Sequence, residues 1–252
     1  MSFDVAAAAY ARFMGVYSEP LAAQFVELLD LRLGQRALDV GCGPGVLTAQ
    51  LALRLGASAV VAIDPSTPFV EAARDRVPGV YVHEGSAEDL PFADGAYDLS
   101  VAQLVVHFMS DPVAGLAEMA RVTRPGGLVA ASVWDHAGER GPLTTFWSAV
   151  LDVDPEAPDE SGLPGVREGD LAELFARAGL CDIQAGSLTV TVGFPSFDQW
   201  WEPYTMGVGP AGAYVAGLDD RDREALEVAC RARLPQEPFD VDATAWTVMA
   251  RP

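Results

Sequence analysis

The stretch ALDVGCGPGVLTAQLA, residues 37–52, decides how this chain is read. An apolar run ends in three glycines at alternate positions, Gly41, Gly43 and Gly45, and a helical pattern follows at once. A glycine turn between a strand and a helix lets backbone approach a ligand closely, at the positive end of the helix dipole. A phosphate loop needs a Lys-Ser/Thr pair after its last glycine, but Gly45 is followed by Val-Leu-Thr and the chain has no lysine. A dinucleotide fingerprint needs G-x-G-x-x-G, whereas the spacing here is G-x-G-x-G followed by Val46. Asp39 adds a carboxylate two residues before Gly41, which suits an ammonium or sulfonium better than a pyrophosphate. These features disfavour a dehydrogenase.

Working outward, SAVVAID (58–64) reads as a second strand ending in an acid that can accept both hydroxyls of a ribose. Helices are expected over 45–56 and 67–77, and further strands at VYVHEG, YDLSVAQLVV and GGLVAASVW. Ser110 or Asp111 can cap the helix that Pro112 starts. Upstream, amphipathic helices are expected over 6–14 and 19–33, the second ending at Gly34. Strands alternating with helices at this spacing imply βαβ units and a parallel sheet with right-handed crossovers. Past Trp134 the alternation breaks. Residues 135–166 are rich in Gly, Pro and Asp and read as an insertion. A helix over 168–180, a long strand over 182–194, a mostly helical stretch over 195–235 and a terminal strand follow.

A ligand with a ribose, no phosphates and a tolerance for acidic surroundings matches S-adenosylmethionine. The motifs ALDVGCGPG, VVAIDPS, EGSAEDLPFADGAYDLS and EMARVTRPGGLVAASVW, in that order, resemble those of class I S-adenosylmethionine-dependent methyltransferases. More narrowly they are similar to the small-molecule branch that includes ubiquinone and menaquinone biosynthesis methyltransferases. The resemblance implies an α/β, Rossmann-like, seven-stranded and mostly parallel sheet with helices on both faces, its last strand antiparallel, plus helical lid insertions. One domain is expected over 1–252: a helical cap at 1–35, a cofactor-binding core at 36–134, insertions at 135–166 and 195–235, and a terminal strand at 236–252.

Carried over by position, Gly41, Cys42, Gly43 and Gly45 would wrap the methionine portion of the cofactor, with Asp39 near its ammonium. Asp64 would hold the ribose, Pro65 would pack on the adenine, and Ser86, Ala87 and Glu88 would frame the adenine edge. Many relatives carry Asp where this chain has Ser86, which weakens that contact. Gln103 would lie near the transferable methyl, and Tyr10, Met14 and Tyr17 in the closing segment. His107 follows the fourth strand and is the candidate general base, with a packing histidine as the alternative. Tyr17, Trp134, Trp200, Trp201 and Tyr204 are candidate substrate contacts, although an aromatic stripe at helical spacing also reads as core. Cys42 reads as a small residue tolerated in the loop. Asp39 could instead be a buried acid bonding backbone, and Asp64 a helix cap.

The expected activity is methyl transfer by in-line displacement to a small, apolar or aromatic acceptor; the other reading is a non-catalytic module that binds this cofactor or a nucleoside. Sixteen basic and thirty-six acidic residues give a net charge of −20. That field repels nucleic acid and anionic lipid. No segment reads as membrane-spanning, no signal-peptide pattern opens the chain, and cytoplasmic placement is expected. Cys42, Cys181 and Cys230 lie too far apart in sequence for a disulfide framework or a metal site, and neither is expected.

Overall fold

The computed structural model describes residues 7–252, so Ala6, where the first helix is expected to begin, lies outside the described residues. Helix α1 (Ala7–Tyr10) runs through a π-helical turn (Ala11–Gly15) directly into α2 (Val16–Leu28). The separate helix expected over 19–33 is corrected at both ends. Pro20 lies inside α2 rather than at a helix start, and the chain leaves the helix after Leu28, reaching positive φ at Asp30.

The alternating half follows as β1 (Ala37–Val40), α3 (Val46–Leu55), β2 (Val60–Asp64), α4 (Thr67–Arg76), β3 (Tyr81–Glu84), β4 (Tyr97–Gln103), α5 (Pro112–Val122) and β5 (Thr123–Trp134). Next come α6 (Thr144–Val153), α7 (Asp170–Arg177), β6 (Cys181–Phe194), α8 (Phe197–Trp201), α9 (Gly209–Gly217), α10 (Asp220–Arg233) and β7 (Phe239–Arg251). Strand β4 stops at Gln103, short of the expected Val106, because Leu104 turns the chain away at φ +60°.

Seven strands form one sheet in the order β3-β2-β1-β4-β5-β7-β6. The first five run parallel, and β7 is antiparallel to both of its neighbours. The order reverses at β1, with β2 on one side and β4 on the other. Crossovers therefore leave in opposite directions and open a crevice at the strands' carboxyl ends, the usual ligand position in such sheets.

Both faces are covered, which explains the unbroken apolar strands. On one face Phe25, Leu47 and Leu51 pack with Leu99 and Val101; on the other Leu116, Met119 and Phe175 pack with Val129 and Val133. A third core is aromatic and lies above the sheet, joining Phe13 and Tyr17 to Phe146, Trp200 and Tyr204. Helix α6 falls in the segment read only as an insertion, with Phe146 and Val150 fully buried. Among the described residues no helix is long and apolar enough to cross a membrane.

Asp111 caps α5, its Oδ1 accepting from the amides of Val113 (3.1 Å) and Ala114 (3.0 Å), and Pro112 supplies the first turn. Asp111→Ala is expected to cost about 0.5–2 kcal/mol, measured by urea denaturation.

Candidate functional site

The turn after β1 takes the shape its glycines allow. Gly41, Gly43 and Gly45 all have positive φ, at +68°, +52° and +83°. At Gly41 the constraint is also one of space, since an added Cβ would lie 2.4 Å from Val105 Cγ2. The amides of Gly41 and Cys42 donate to the Ile63 carbonyl, at 2.8 and 3.0 Å, which ties the turn to β2. Asp64 completes the tie. Its Oδ2 accepts from the Gly43 amide at 2.8 Å and its Oδ1 from the Ser66 amide at 2.9 Å.

These turns, with the ends of β3 and β4, enclose a cavity of about 600 Å³ at the sheet's carboxyl edge. The structure places Tyr10, Asp39, Gly41, Cys42, Gly43, Asp64, Pro65, Ser86, Ala87, Glu88 and Gln103 on its wall. Asp39 is buried; Thr48 Oγ1 donates to its Oδ2 at 2.6 Å, while Oδ1 has no partner among the described residues. Burial pushes the Asp39 carboxyl up to about 7, against the pull of the Thr48 hydrogen bond. Burial also raises Asp64, against its two backbone amides. Gln103 Nε2 donates to the Ser18 carbonyl at 3.1 Å, leaving its buried Oε1 without a partner among the described residues. Ser86 donates to Glu88, whose Oε1 accepts from the Ser110 amide at 2.8 Å. The adenine-edge candidates are thus braced by the loop after β4.

Several candidates sit elsewhere. Gly45 is off the cavity wall and acts through backbone shape, as the left-handed residue before α3. Met14, His107 and Trp134 line a second, smaller cavity of about 40 Å³, which shares Tyr10, Leu104 and Phe108 with the first. Burial, followed by the charge of His136, holds His107 well below its ordinary pKa, so it is neutral. Tyr17, Trp200, Trp201 and Tyr204 line neither cavity; their faces are spent on packing. Tyr204 stacks on Phe146 at 4.6 Å, with Trp200 4.8 Å away and Phe13 edge-on at 5.0 Å. The expectation that these four form a substrate wall gives way to a lid core.

Two residues of the second cavity have no clear signal in the sequence: His136, which reads as a structural or solvent-facing residue, and Glu160, one acid among many. Leu104 was also missed. Its positive φ, rare for a branched residue, turns it toward both cavities.

Comparison with known proteins agrees with this geometry. Residues 38–131 match the methyltransferase domain family. The chain is 41% identical over 102 residues to a demethylmenaquinone methyltransferase of Beutenbergia cavernae, covering 40% of this chain and 42% of that one. It is 33% identical over 150 residues to a malonyl-[acyl-carrier protein] O-methyltransferase of Serratia marcescens, covering 57% and 58%. The matches thus span about half the length of these curated relatives. A phosphoethanolamine N-methyltransferase 2 of Haemonchus contortus, solved with S-adenosyl-L-methionine, shares the fold with a TM-score of 0.59 at 15% identity, over 100% of this chain and 60% of that one. The family match is confined to residues 38–131, the span from β1 into β5 that carries the glycine turn and Asp64.

Gly41→Ala is expected to destabilise the fold by about 1–3 kcal/mol, from the Val105 clash and the positive φ together. Val105→Ala in the same chain should recover part of the steric cost, since its Cβ stays 2.8 Å from the added one, and leave the backbone part, a non-additivity that a double-mutant thermal-denaturation cycle reads directly.

Proposed function

We propose that this chain transfers a methyl group from S-adenosylmethionine to a small molecule. One observation carries the reading: the large cavity is walled by a glycine turn and three carboxylates, Asp39, Asp64 and Glu88, with no Arg or Lys among its lining residues. Such a wall repels a dinucleotide's phosphates and favours a ligand that is cationic and carries a ribose. The methyltransferase domain match over the same turns supports this choice of ligand.

In this reading the unpartnered Asp39 Oδ1 accepts from the ammonium of the methionine portion, and the Asp64 carboxylate adds the ribose hydroxyls to the two amides it already holds. Gly41, Cys42 and Gly43 supply close backbone. Pro65 and the Ser86–Glu88 turn flank the adenine, and Tyr10 closes over the top. When bound, the sulfonium supplies the electrophile, and the protein's part is to align the acceptor and exclude water. The second cavity adjoins the first through Leu104 and Phe108 and is the natural acceptor site. Its small size and apolar lining suit a small acceptor rather than nucleic acid, as does the acidic field of the whole chain.

Isothermal titration with S-adenosylmethionine and S-adenosylhomocysteine, with NAD as control, tests the proposal; both sulfur ligands should bind and NAD should not. Binding of NAD alone would sink it. Asp64→Asn should weaken S-adenosylhomocysteine at least several-fold by removing charge-assisted bonds.

Affinity should also depend on pH through Asp39. The empty-site carboxyl lies at about 7 and the ammonium selects its ionised form, so affinity falls by up to about tenfold per unit as pH drops below 7. Asp39→Asn should flatten that dependence, as seen in the same titrations repeated across pH.

A further inference from the structure

The second cavity holds a polar group that neither the glycine turn nor the cofactor reading uses. Glu160 lies on its wall with only 4% of its surface exposed, and Trp147 Nε1 donates to its Oε2 at 2.9 Å. His107 and His136 line the same cavity, their ring centres 6.0 Å apart. Most of the remaining wall is apolar: Phe13, Met14, Leu104, Leu143 and Val208. Burying a carboxyl in an apolar wall is costly, and the single Trp147 bond offsets only part of that cost, which makes Glu160 a functional candidate.

Resting on the methyl-transfer reading, we propose that Glu160 takes the proton of the acceptor, and that the acceptor is a small uncharged molecule presenting a hydroxyl group. Methylating a hydroxyl makes an oxonium unless the proton leaves as the new bond forms. The balance is therefore complete with one base. The acceptor oxygen bonds to the methyl carbon, the carbon–sulfur bond of the sulfonium donor breaks with its pair going to sulfur, and the hydroxyl proton passes to the Glu160 carboxylate. Products are a neutral ether, a neutral thioether and a protonated carboxyl, which returns its proton to water when the cavity opens. An amine acceptor needs no such base, because the ammonium it forms is stable.

The surroundings separate Glu160 from the histidines. Burial pushes Glu160 up to about 7, partly offset by Trp147 and reinforced by the neighbouring charge of Asp159. Tyr204, from the lid core, is the other titratable group coupled to it. Burial lowers His136 to about 4 and holds His107 well below its usual range, so both are neutral and weak proton acceptors. A base works best with its pKa near the working pH, which favours the carboxylate. The two imidazoles remain available to orient the hydroxyl.

With a volume of about 40 Å³, the closed cavity has room for little more than a reacting group. One wall, Val208 to Pro210, follows Gly207 and includes Gly209, both at positive φ, and the proposal requires this wall to yield to admit the rest of the acceptor.

The test uses phenol as a hydroxyl probe and benzylamine as an amine probe, each titrated calorimetrically into the whole protein saturated with S-adenosylhomocysteine. Phenol should bind in the millimolar range or better and tighten several-fold as pH rises from about 6 to about 8, because the ionised carboxylate is the better acceptor. Glu160→Gln should abolish that pH dependence and leave S-adenosylhomocysteine affinity unchanged. Trp147→Phe keeps the carboxyl but removes the bond that lowers its pKa. It should keep phenol binding and move the pH midpoint upward, a shift that a purely structural role would not produce. The proposal is overturned if phenol fails to bind the loaded protein, if its affinity is independent of pH, or if benzylamine binds in its place. Failure to bind S-adenosylhomocysteine would instead remove the methyl-transfer reading beneath it.

Discussion

The carboxylate of Asp64 joins the two turns on which the site depends. It takes the amide of Gly43 from the turn after β1 and the amide of Ser66 from the turn after its own strand, β2. Together with the Gly41 and Cys42 amides on the Ile63 carbonyl, that bridge makes the two loops one wall. The wall has this shape because Gly41 brings backbone against Val105 where no Cβ fits. It faces a crevice because the strand order reverses at β1. Burying Asp64 costs solvation, which raises its pKa despite the two amides. The ligand proposed for this cavity would add donors to the same carboxylate and recover part of that cost.

The two cavities differ in how they treat polar atoms. Around the large one, Asp39 Oδ1 and Gln103 Oε1 are buried without partners among the described residues; around the small one, His107 Nδ1 and Trp134 Nε1 are in the same condition. Buried polar atoms are normally paired, so unpaired ones gathered around two adjoining spaces mark where ligand atoms are expected. Three more, Ser132 Oγ, Trp200 Nε1 and Trp246 Nε1, are unpaired among the described residues but line neither cavity, whereas one buried acid beyond the cavities is fully engaged. Asp135, fully buried, holds the Gly138 amide at 2.8 Å and Arg140 Nε at 2.6 Å, and the Arg140 carbonyl accepts from the Thr244 amide of β7. That network anchors the start of the insertion to the sheet.

Much of the fold was legible because local and global preferences agree in the alternating half. The β1 and β2 runs are apolar for a reason the sheet explains, and Asp111-Pro112 announces a helix that forms as announced. The cavity wall was legible for the same reason, since Gly41, Gly43, Asp39 and Asp64 sit at fixed offsets from strand ends. What failed to show came from tertiary packing. A separate helix was expected from residue 19, yet α2 starts at Val16 and runs through Pro20. Trp200, Trp201 and Tyr204 form an aromatic stripe whether they face a ligand or each other, and here they face each other. Helix α6 was hidden by the Gly, Pro and Asp around it. Glu160 carries no local pattern, because what distinguishes it is burial beside residues distant in sequence.

The lid core joins the N-terminal helical segment to the late insertion. Phe13 of the N-terminal helical segment packs edge-on to Tyr204 of the late insertion, and Arg12 pairs with Glu202 at 2.7 Å beside it. The N-terminal segment covers the large cavity through Tyr10 and the small one through Phe13 and Met14, while the late insertion closes the small one through Val208. Segments so joined tend to move as one body. Opening either compartment then disturbs the other, and the methylated product and the spent cofactor would share one gate. Under the proposed methyl-transfer reading, how often that gate opens would set the tempo of turnover, and substitutions at the Phe13–Tyr204 seam would act on release without touching either ligand.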